Sequence, residues 1–453
     1  MTAPLAGIRV LDLTNVLAGP FCAHQIALMG ADVVKVEIPK TGDLARQLGA
    51  DPELNRRLMG VSFLAQNSGK RSLTLNLKAP AGTAAFLRLV DGADVVVENF
   101  RPGVMERLGL GAATLRSRNP RLVYCAISGF GQDGPMRALP AYDQIIRGLS
   151  GVMSITGDPD SAPLRVGYPI ADTVGGLTAA FAIAAALAGR AATGKGATID
   201  VSMLASVLAT MGWAVSNHPV AGKPPLPLGN DNVTASPSGA FACADAPLNI
   251  AANKQEQFEA VARVVGRPDL IDDPRFETRQ ARLDHRAALT AELEAALAAR
   301  PAAAWEAELN AAGVPAGRIL GVPEILEHPQ VRDRGMIGRF DDVPGVGRPI
   351  EIARTGVKLD GAAPQVEVPP PELGAHTDAV LAEAGFSASE IAELHDAGRY
   401  DRRRQGRARL VAHVNHRHGA GSHPLRRHAG GEADWHHQLP ADDLVDDARG
   451  VAQ

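Results

Sequence analysis

Short apolar runs rich in β-branched residues alternate with helix-forming stretches between positions 7 and 128. The runs are Gly7–Leu13, Val33–Glu37, Ser72–Leu77, Ala93–Phe100 and Leu122–Ser128. Helical segments over Phe21–Gly30, 53–66, Pro80–Val90 and from Pro102 to Leu108 separate them. A strand, a helix and a second parallel strand close on one sheet only by a right-handed crossover. The alternation therefore predicts an α/β fold, a doubly wound, Rossmann-like parallel sheet. A sixth strand over Thr198–Ser202 follows a long helix read as Asp172–Leu187.

In such sheets ligands bind beyond the carboxyl ends of the strands. The loops there are TNVLAGP (Thr14–Pro20), the stretch beyond Leu77, NFRPG (Asn99–Gly103) and SGFGQDGP (Ser128–Pro135). None matches the glycine fingerprint of a dinucleotide fold or a P-loop, which weakens nicotinamide, flavin and nucleoside-triphosphate readings. NFRPG sets Arg101 just before a helix, where free N–H groups attract anions. Lys78 and Arg107 can add charge to the same rim. Pro102 and Gly103 also fit plain helix punctuation.

Composition excludes several classes. A net charge of −4 gives no electrostatic case for nucleic acid or an anionic membrane. Three scattered cysteines, Cys22, Cys125 and Cys243, make neither a disulfide framework nor a metal site and suit a reducing cytoplasm. MTAPLAGIRVLDL lacks the basic and apolar blocks of a secretory signal. Thr173 to Gly189 carries no charge, but a membrane span needs about 20 apolar residues. A buried core helix is expected.

Asp172 precedes that helix and Asp143 lies in the same Gly-rich region. Locally each reads as a helix-capping acid, and Tyr142 as a packed ring. His24, within a predicted helix, reads as structural.

The Pro-rich segment 219–238 reads as a crossing between a large domain over 1–218 and a smaller α+β domain over 239–336. Residues 337–400 are expected to return to the large domain through Pro-broken strands and helices. SASE (Ser387–Glu390) matches a capping box. The stretch 401–453 lacks apolar periodicity and reads as a disordered tail. His416, His418, His436 and His437 fall in it at no standard metal spacing.

Together, in order, VLDLTNVLAGP, MGADVVKVEIPKTGD, NSGKRSLTLNLK, DVVVENFRPG, AISGFGQDGP, AYD, GVMSITG, ADTVGG, GKGATIDVSM, AAGVPAGRI, HPQV and GAHTDAVL form a family signature. The chain resembles the class III CoA-transferases of the CaiB/BaiF type, relatives of formyl-CoA transferase, carnitine CoA-transferase and the α-methylacyl-CoA racemases. The resemblance spans roughly residues 6–400.

The resemblance implies that Asp172 is a covalent nucleophile, with Tyr142 and Asp143 beside the thioester. For that chemistry Gly175 and Gly176 are expected to permit close approach of substrate to backbone, and N–H groups near them, or in the Gly148–Gly151 stretch, to stabilise the oxyanion. Coenzyme A contacts map to Asn15, Val16, Leu17 and Ala18, to Leu75 and Lys78, to Asn99, Phe100, Arg101 and Arg107, and to Pro140 and Ala141. The implied partners are an acyl-CoA, a carboxylic acid and a second copy of the chain in an interlocked, ring-like homodimer. No bound metal or redox cofactor is implied.

The expected activity is transfer of CoA from an acyl-CoA such as succinyl-CoA to a carboxylic acid. Racemisation of a 2-methylacyl-CoA and non-catalytic CoA binding stay as alternatives. Tyr142 stands where the racemases carry a catalytic histidine, which favours transfer. Leu17 stands where formyl-CoA transferase has a glutamine, which argues against oxalate or formate. NDNVTASPSG (Asn230–Gly239) replaces the family's mobile Gly-rich loop.

Overall fold

A computed structural model describes residues 3–396. The expected tail over 401–453, with its histidines, lies outside the described residues.

The large unit is built on a parallel six-stranded sheet. Its strands are β1 (Arg9–Asp12), β2 (Asp32–Glu37), β3 (Lys70–Thr74), β4 (Val95–Glu98), β5 (Val123–Ser128) and β6 (Thr198–Ser202), in the order β3-β2-β1-β4-β5-β6. The order reverses between β1 and β4, whose register sets Val10 opposite Val95. Chains leaving those two strands diverge, so a crevice opens above this point.

Alternate residues of each strand face opposite sides of the sheet, and both sides are covered. Val10, Val33, Val95, Val123 and Cys125 pack under α1 (Ala18–Leu28). Leu11, Val34, Leu73 and Val96 pack on the other face, with Phe86 and Leu89 of α2 (Pro80–Val90). The first face also holds α3 (Asp143–Leu149), α4 (Ile170–Thr193) and α5 (Met203–Met211). Ala179, Ile183 and Leu187 of α4 belong to this core. By length and composition α4 could cross a membrane, yet one of its faces is seated on the sheet. Arg190 near its end is buried and pairs with Asp94 at 2.8 Å.

A smaller unit has its own core. Strands β7 (Ser238–Ala242), β8 (Pro247–Ala251) and β9 (Ala316–Arg318) form an antiparallel sheet. It carries α6 (Gln255–Val264), α7 (Arg286–Leu297) and α8 (Ala302–Ala311), with Phe258, Leu293 and Trp305 in the core. A hairpin of β10 (Ile337–Phe340) and β11 (Ile350–Ala353) then packs on Leu54, Met59 and Leu64. Finally α9 (Thr377–Glu383) and α10 (Ala388–Asp396) add Val380, Leu381 and Ile391 to the core beside α2.

Three expectations need correction. The third strand starts at Lys70 rather than Ser72, because Lys70 is buried and pairs with Asp12 at 2.9 Å. The helix expected over 53–66 is two short ones, Pro52–Arg56 and Val61–Leu64, parted at Leu58, whose φ is +59°. The Pro-rich segment 219–238 is not loop from its start, since a helix continues through Pro219 to Ala221.

Candidate active site

The site is assembled from the loops that leave β1, β4 and β5. After β1 the chain reaches Val16 with φ at +67°. A β-branched residue avoids this region, at a cost of about 1–3 kcal/mol. Neighbouring groups hold it there. Asn99 accepts from Asn15 N at 2.8 Å and donates back to Asn15 O at 2.8 Å. Asp43 Oδ1 accepts from Val16 N at 2.9 Å.

Beneath this loop lies a fully buried charge network. Lys35 pairs with Asp43 at 2.8 Å and donates to Thr14 O at 2.8 Å. Lys70 pairs with Asp12 and donates to Pro20 O at 2.9 Å. His24 is buried on Ser68 Oγ at 3.0 Å, and desolvation, with Lys70 nearby, pushes its pKa down to about 3. It stays neutral and structural.

The cavity above these loops measures about 220 Å³. Asn15, Val16, Leu17, Ala18, Asn99, Phe100 and Arg101 line one side. Pro140, Ala141, Tyr142 and Asp172 line another. An adjoining cavity of about 440 Å³ shares Asn15 and Phe100 and carries Leu75 and Lys78. It is walled by Leu13, Leu77, Val104 and Leu108, with Lys40 at its rim. An extended ligand with an apolar, flat end and anionic groups fits this continuity.

Asp172 occupies the third position of α4, whose start is Ile170. It is therefore no N-cap, and Pro169 in the capping position has no side-chain hydrogen bond to offer. The capping acceptor comes from another helix: Asp143 Oδ1 accepts from Ala171 N at 2.9 Å. Asp143 is itself buried, and its other oxygen pairs with Arg147 at 2.5 Å. Thus Asp143 organises the helix start while Asp172 faces the cavity.

A carboxylate in a first turn gains about 0.3–1 kcal/mol from the helix dipole. Burial can move a carboxyl by several pH units the other way. Here burial wins: desolvation and then the Asp143 charge raise the Asp172 pKa to about 7, against a lowering by Arg147. A carboxylate so placed is poorly solvated and so more nucleophilic.

The glycines act differently from expectation. A Cβ on Gly175 would sit 2.9 Å from Met203 Cγ, and one on Gly176 would sit 2.5 Å from Ala18 O. Both seat α4 against its neighbours and are buried. Their N–H groups lie past the first turn, where the helix consumes them. Neither can supply an oxyanion contact. Gly148 and Gly151 are not in the cavity lining either. Arg107 is in neither lining, and its guanidinium lies over the Gly103 turn, where φ is +85°. The segment Asn230–Gly239 lines part of a separate cavity of about 560 Å³, with Asn249 and Asn310.

Several site residues escaped sequence reasoning. Ser128, Gly129, Phe130, Arg137 and Met203 also line the Asp172 cavity. The SGFG stretch after β5 was the available signal. A Cβ on Gly129 would meet Ala141 Cβ at 2.3 Å, so only glycine lets the two loops meet there. Glu98 is buried below Phe100, accepts from Phe100 N at 2.7 Å and from Tyr124 Oη at 3.1 Å, and has its pKa raised by burial to about 7.

The sequence model of CoA-transferase family III matches residues 5–377. The chain belongs to CoA-transferase family III. An acetyl-CoA:oxalate CoA-transferase from Acetobacter aceti is 42% identical over 380 residues, covering 82% of this chain and 97% of that one. A succinate–glutarate CoA-transferase from Agrobacterium fabrum is 38% identical, covering 84% and 95%. A CAIB/BAIF family protein from Brucella suis superposes with a TM-score of 0.74 at 35% identity, covering 85% of this chain and all 100% of its own. The chain is therefore a CoA-transferase by family, and CoA thioesters and carboxylates are its substrate classes.

Proposed function

We propose that this chain moves CoA from a dicarboxylyl-CoA, such as succinyl-CoA, to a carboxylic acid through a covalent intermediate on Asp172. The observation that carries the reading is Asp172 itself, a poorly solvated carboxylate in the cavity that also holds the loops after β1 and β4. The relatives named above act on oxalate and on glutarate, both dicarboxylic acids.

The chemistry balances without a net proton. The Asp172 carboxylate attacks the donor thioester carbon; the C–S bond breaks and CoA leaves as thiolate. The thiolate attacks the aspartyl carbonyl of the mixed anhydride, and the donor acid departs as carboxylate. The acceptor carboxylate then attacks the aspartyl thioester and expels the thiolate. Attack of that thiolate on the acceptor acyl carbon releases Asp172 and the new thioester. Splitting the transfer in this way replaces one difficult step by several easier ones.

Asn15, Val16, Leu17, Ala18, Leu75, Lys78, Asn99, Phe100 and Arg101 line the CoA path in this reading. In this reading the chain works as an interlocked homodimer, which is supported by the exposed apolar side chains Leu177 and Phe181 on α4, Trp213, Val220 and Leu226; a second copy would cover them. A reducing cytoplasm suits the three free cysteines.

The test is incubation with succinyl-CoA and a panel of glutarate, oxalate, malonate and monocarboxylates, with new thioesters read by mass spectrometry. Hydroxylamine added during turnover should convert Asp172 to its hydroxamate. No exchange with any acid, and no modification at Asp172, would refute the reading. Light scattering reports the dimer, and a monomer in solution would remove that part.

A further inference from the structure

We propose that Arg147 is a positioning residue for the nucleophile: through Asp143 and the Val166 carbonyl it fixes the first turn of α4, and with it Asp172. The inference rests on the reading of Asp172 as nucleophile.

A buried guanidinium is unfavourable unless its charge is met. Arg147 is only 4% exposed. Its Nη2 reaches Asp143 at 2.5 Å and Gln144 Oε1 at 2.9 Å, and its Nη1 donates to Val166 O at 2.7 Å and, at the limit, to Tyr168 O at 3.5 Å, while its buried Nε has no partner among the described residues. Val166 precedes α4 in sequence by four positions, while Arg147 stands on α3. Asp143 passes the constraint on, because its free oxygen receives the Ala171 N–H. One side chain thereby ties α3 to the approach to α4 and, through Asp143, to its first turn. A pair serving only its own burial needs neither link.

Neither Asp143 nor Arg147 lines the cavity. Substrate binding should therefore be nearly blind to them, and turnover sensitive. The pair also sets the field at Asp172. Asp143 raises its pKa and Arg147 lowers it. Other titratable or charged groups on the elements packed around α4 are Cys22 and His24 on α1, Tyr124 and Cys125 on β5, and Asp200 on β6; the cavity adds Arg101, Arg137 and Tyr142. Asp143 and Arg147, not these, are the charged groups that act on Asp172, and they do so with opposite sign.

The experiment is the pH dependence of kcat and KM for wild type, Asp143→Asn, Arg147→Gln and Arg147→Lys, with succinyl-CoA and glutarate and with circular dichroism as the folding control. Asparagine keeps an acceptor for Ala171 N but leaves Arg147 unneutralised, so the acid limb of kcat should move to lower pH by about half a unit or more. Arg147→Gln should move it to higher pH and cut kcat at least about tenfold, with KM within about twofold. Arg147→Lys keeps the charge but cannot fork to both partners. It should keep the limb in place and recover part of kcat.

Limbs that stay fixed in both Asp143→Asn and Arg147→Gln, or a raised KM at unchanged kcat, overturn the inference. If Arg147→Gln does not fold, the near-isosteric Asp143→Asn decides by the direction of its limb. Absence of exchange in wild type removes the underlying reading and the inference together; exchange in wild type with unmoved limbs removes the inference alone.

Discussion

Asn15 and Asn99 are locked by two reciprocal hydrogen bonds of 2.8 Å, side-chain oxygen to backbone N–H and side-chain amide to backbone carbonyl. They join the loops at the point where strand order reverses. The tie also opposes the strain at Val16, whose φ is +67°. Asn99→Ala removes both bonds and lets the loop relax. Each such bond contributes about 0.5–1.5 kcal/mol net, so the melting temperature should fall by several degrees. Because Asn15 and Asn99 both line the proposed CoA path, KM for the acyl-CoA should rise about tenfold or more. Steady-state kinetics and calorimetry check the two together.

Asp172→Asn separates chemistry from stability. Without the carboxylate nucleophile, transfer should fall at least about a thousandfold. The folded protein should nonetheless become more stable at neutral pH. The Asp172 pKa is raised in the fold to about 7 from 3.8. The unfolded chain therefore loses this proton first, and the wild type loses stability as pH rises from the unfolded value to about 7. Above that the penalty is constant, and below about pH 4 it is absent. Thermal melts should show the variant ahead of wild type at pH 8 and level with it near pH 4. Equal melts at both pH values would count against a desolvated carboxylate.

The sheet and the loops that line its crevice were legible because strands buried on both faces leave an unmistakable apolar signature. Asn15–Ala18 and Asn99–Arg101 followed from standing at strand ends. What escaped was tertiary. Lys70 reads as a polar boundary until Asp12, distant in sequence, neutralises it inside the core. Asp172 reads as a cap until Asp143, 28 positions before Ala171, takes that task. Gly175 and Gly176 signal close approach, but sequence does not say of what; the partners are Met203 and the Ala18 carbonyl.

Those glycines give a graded test. In Gly176→Ala the new Cβ sits 2.5 Å from Ala18 O, 3.1 Å from Phe21 Cδ1 and 3.3 Å from Cys22 N. Backbone must move, so a loss of about 1–3 kcal/mol is expected, together with disturbed CoA binding through Ala18. In Gly175→Ala the neighbour at 2.9 Å is Met203 Cγ, a flexible side chain that can turn aside. Its loss should be smaller. Gly189→Ala meets nothing within 4 Å and should gain about 0.4–1 kcal/mol by restricting the unfolded chain. Chemical denaturation of the three variants checks the order.

Asp43 carries two tasks that two substitutions can part. Its Oδ1 accepts from Val16 N and Ala45 N at 2.9 Å, and its Oδ2 lies 2.8 Å from Lys35 Nζ. Asp43→Ala removes the loop anchor and leaves Lys35 buried with Asp12 at 4.0 Å as the nearer remaining carboxylate. Breaking a buried pair from one side costs about 3–5 kcal/mol, which should leave the variant partly unfolded at 37 °C. Asp43→Asn retains an oxygen for the two N–H groups but not the charge. It should fold with a smaller loss and keep KM for the acyl-CoA near the wild-type value, since Val16 stays tethered. Lys35→Met in the Asp43→Asn background removes the stranded cation and should recover stability without changing KM further. A rise in KM in Asp43→Asn equal to that in Asp43→Ala would mean that charge, rather than the tether on Val16, holds the loop.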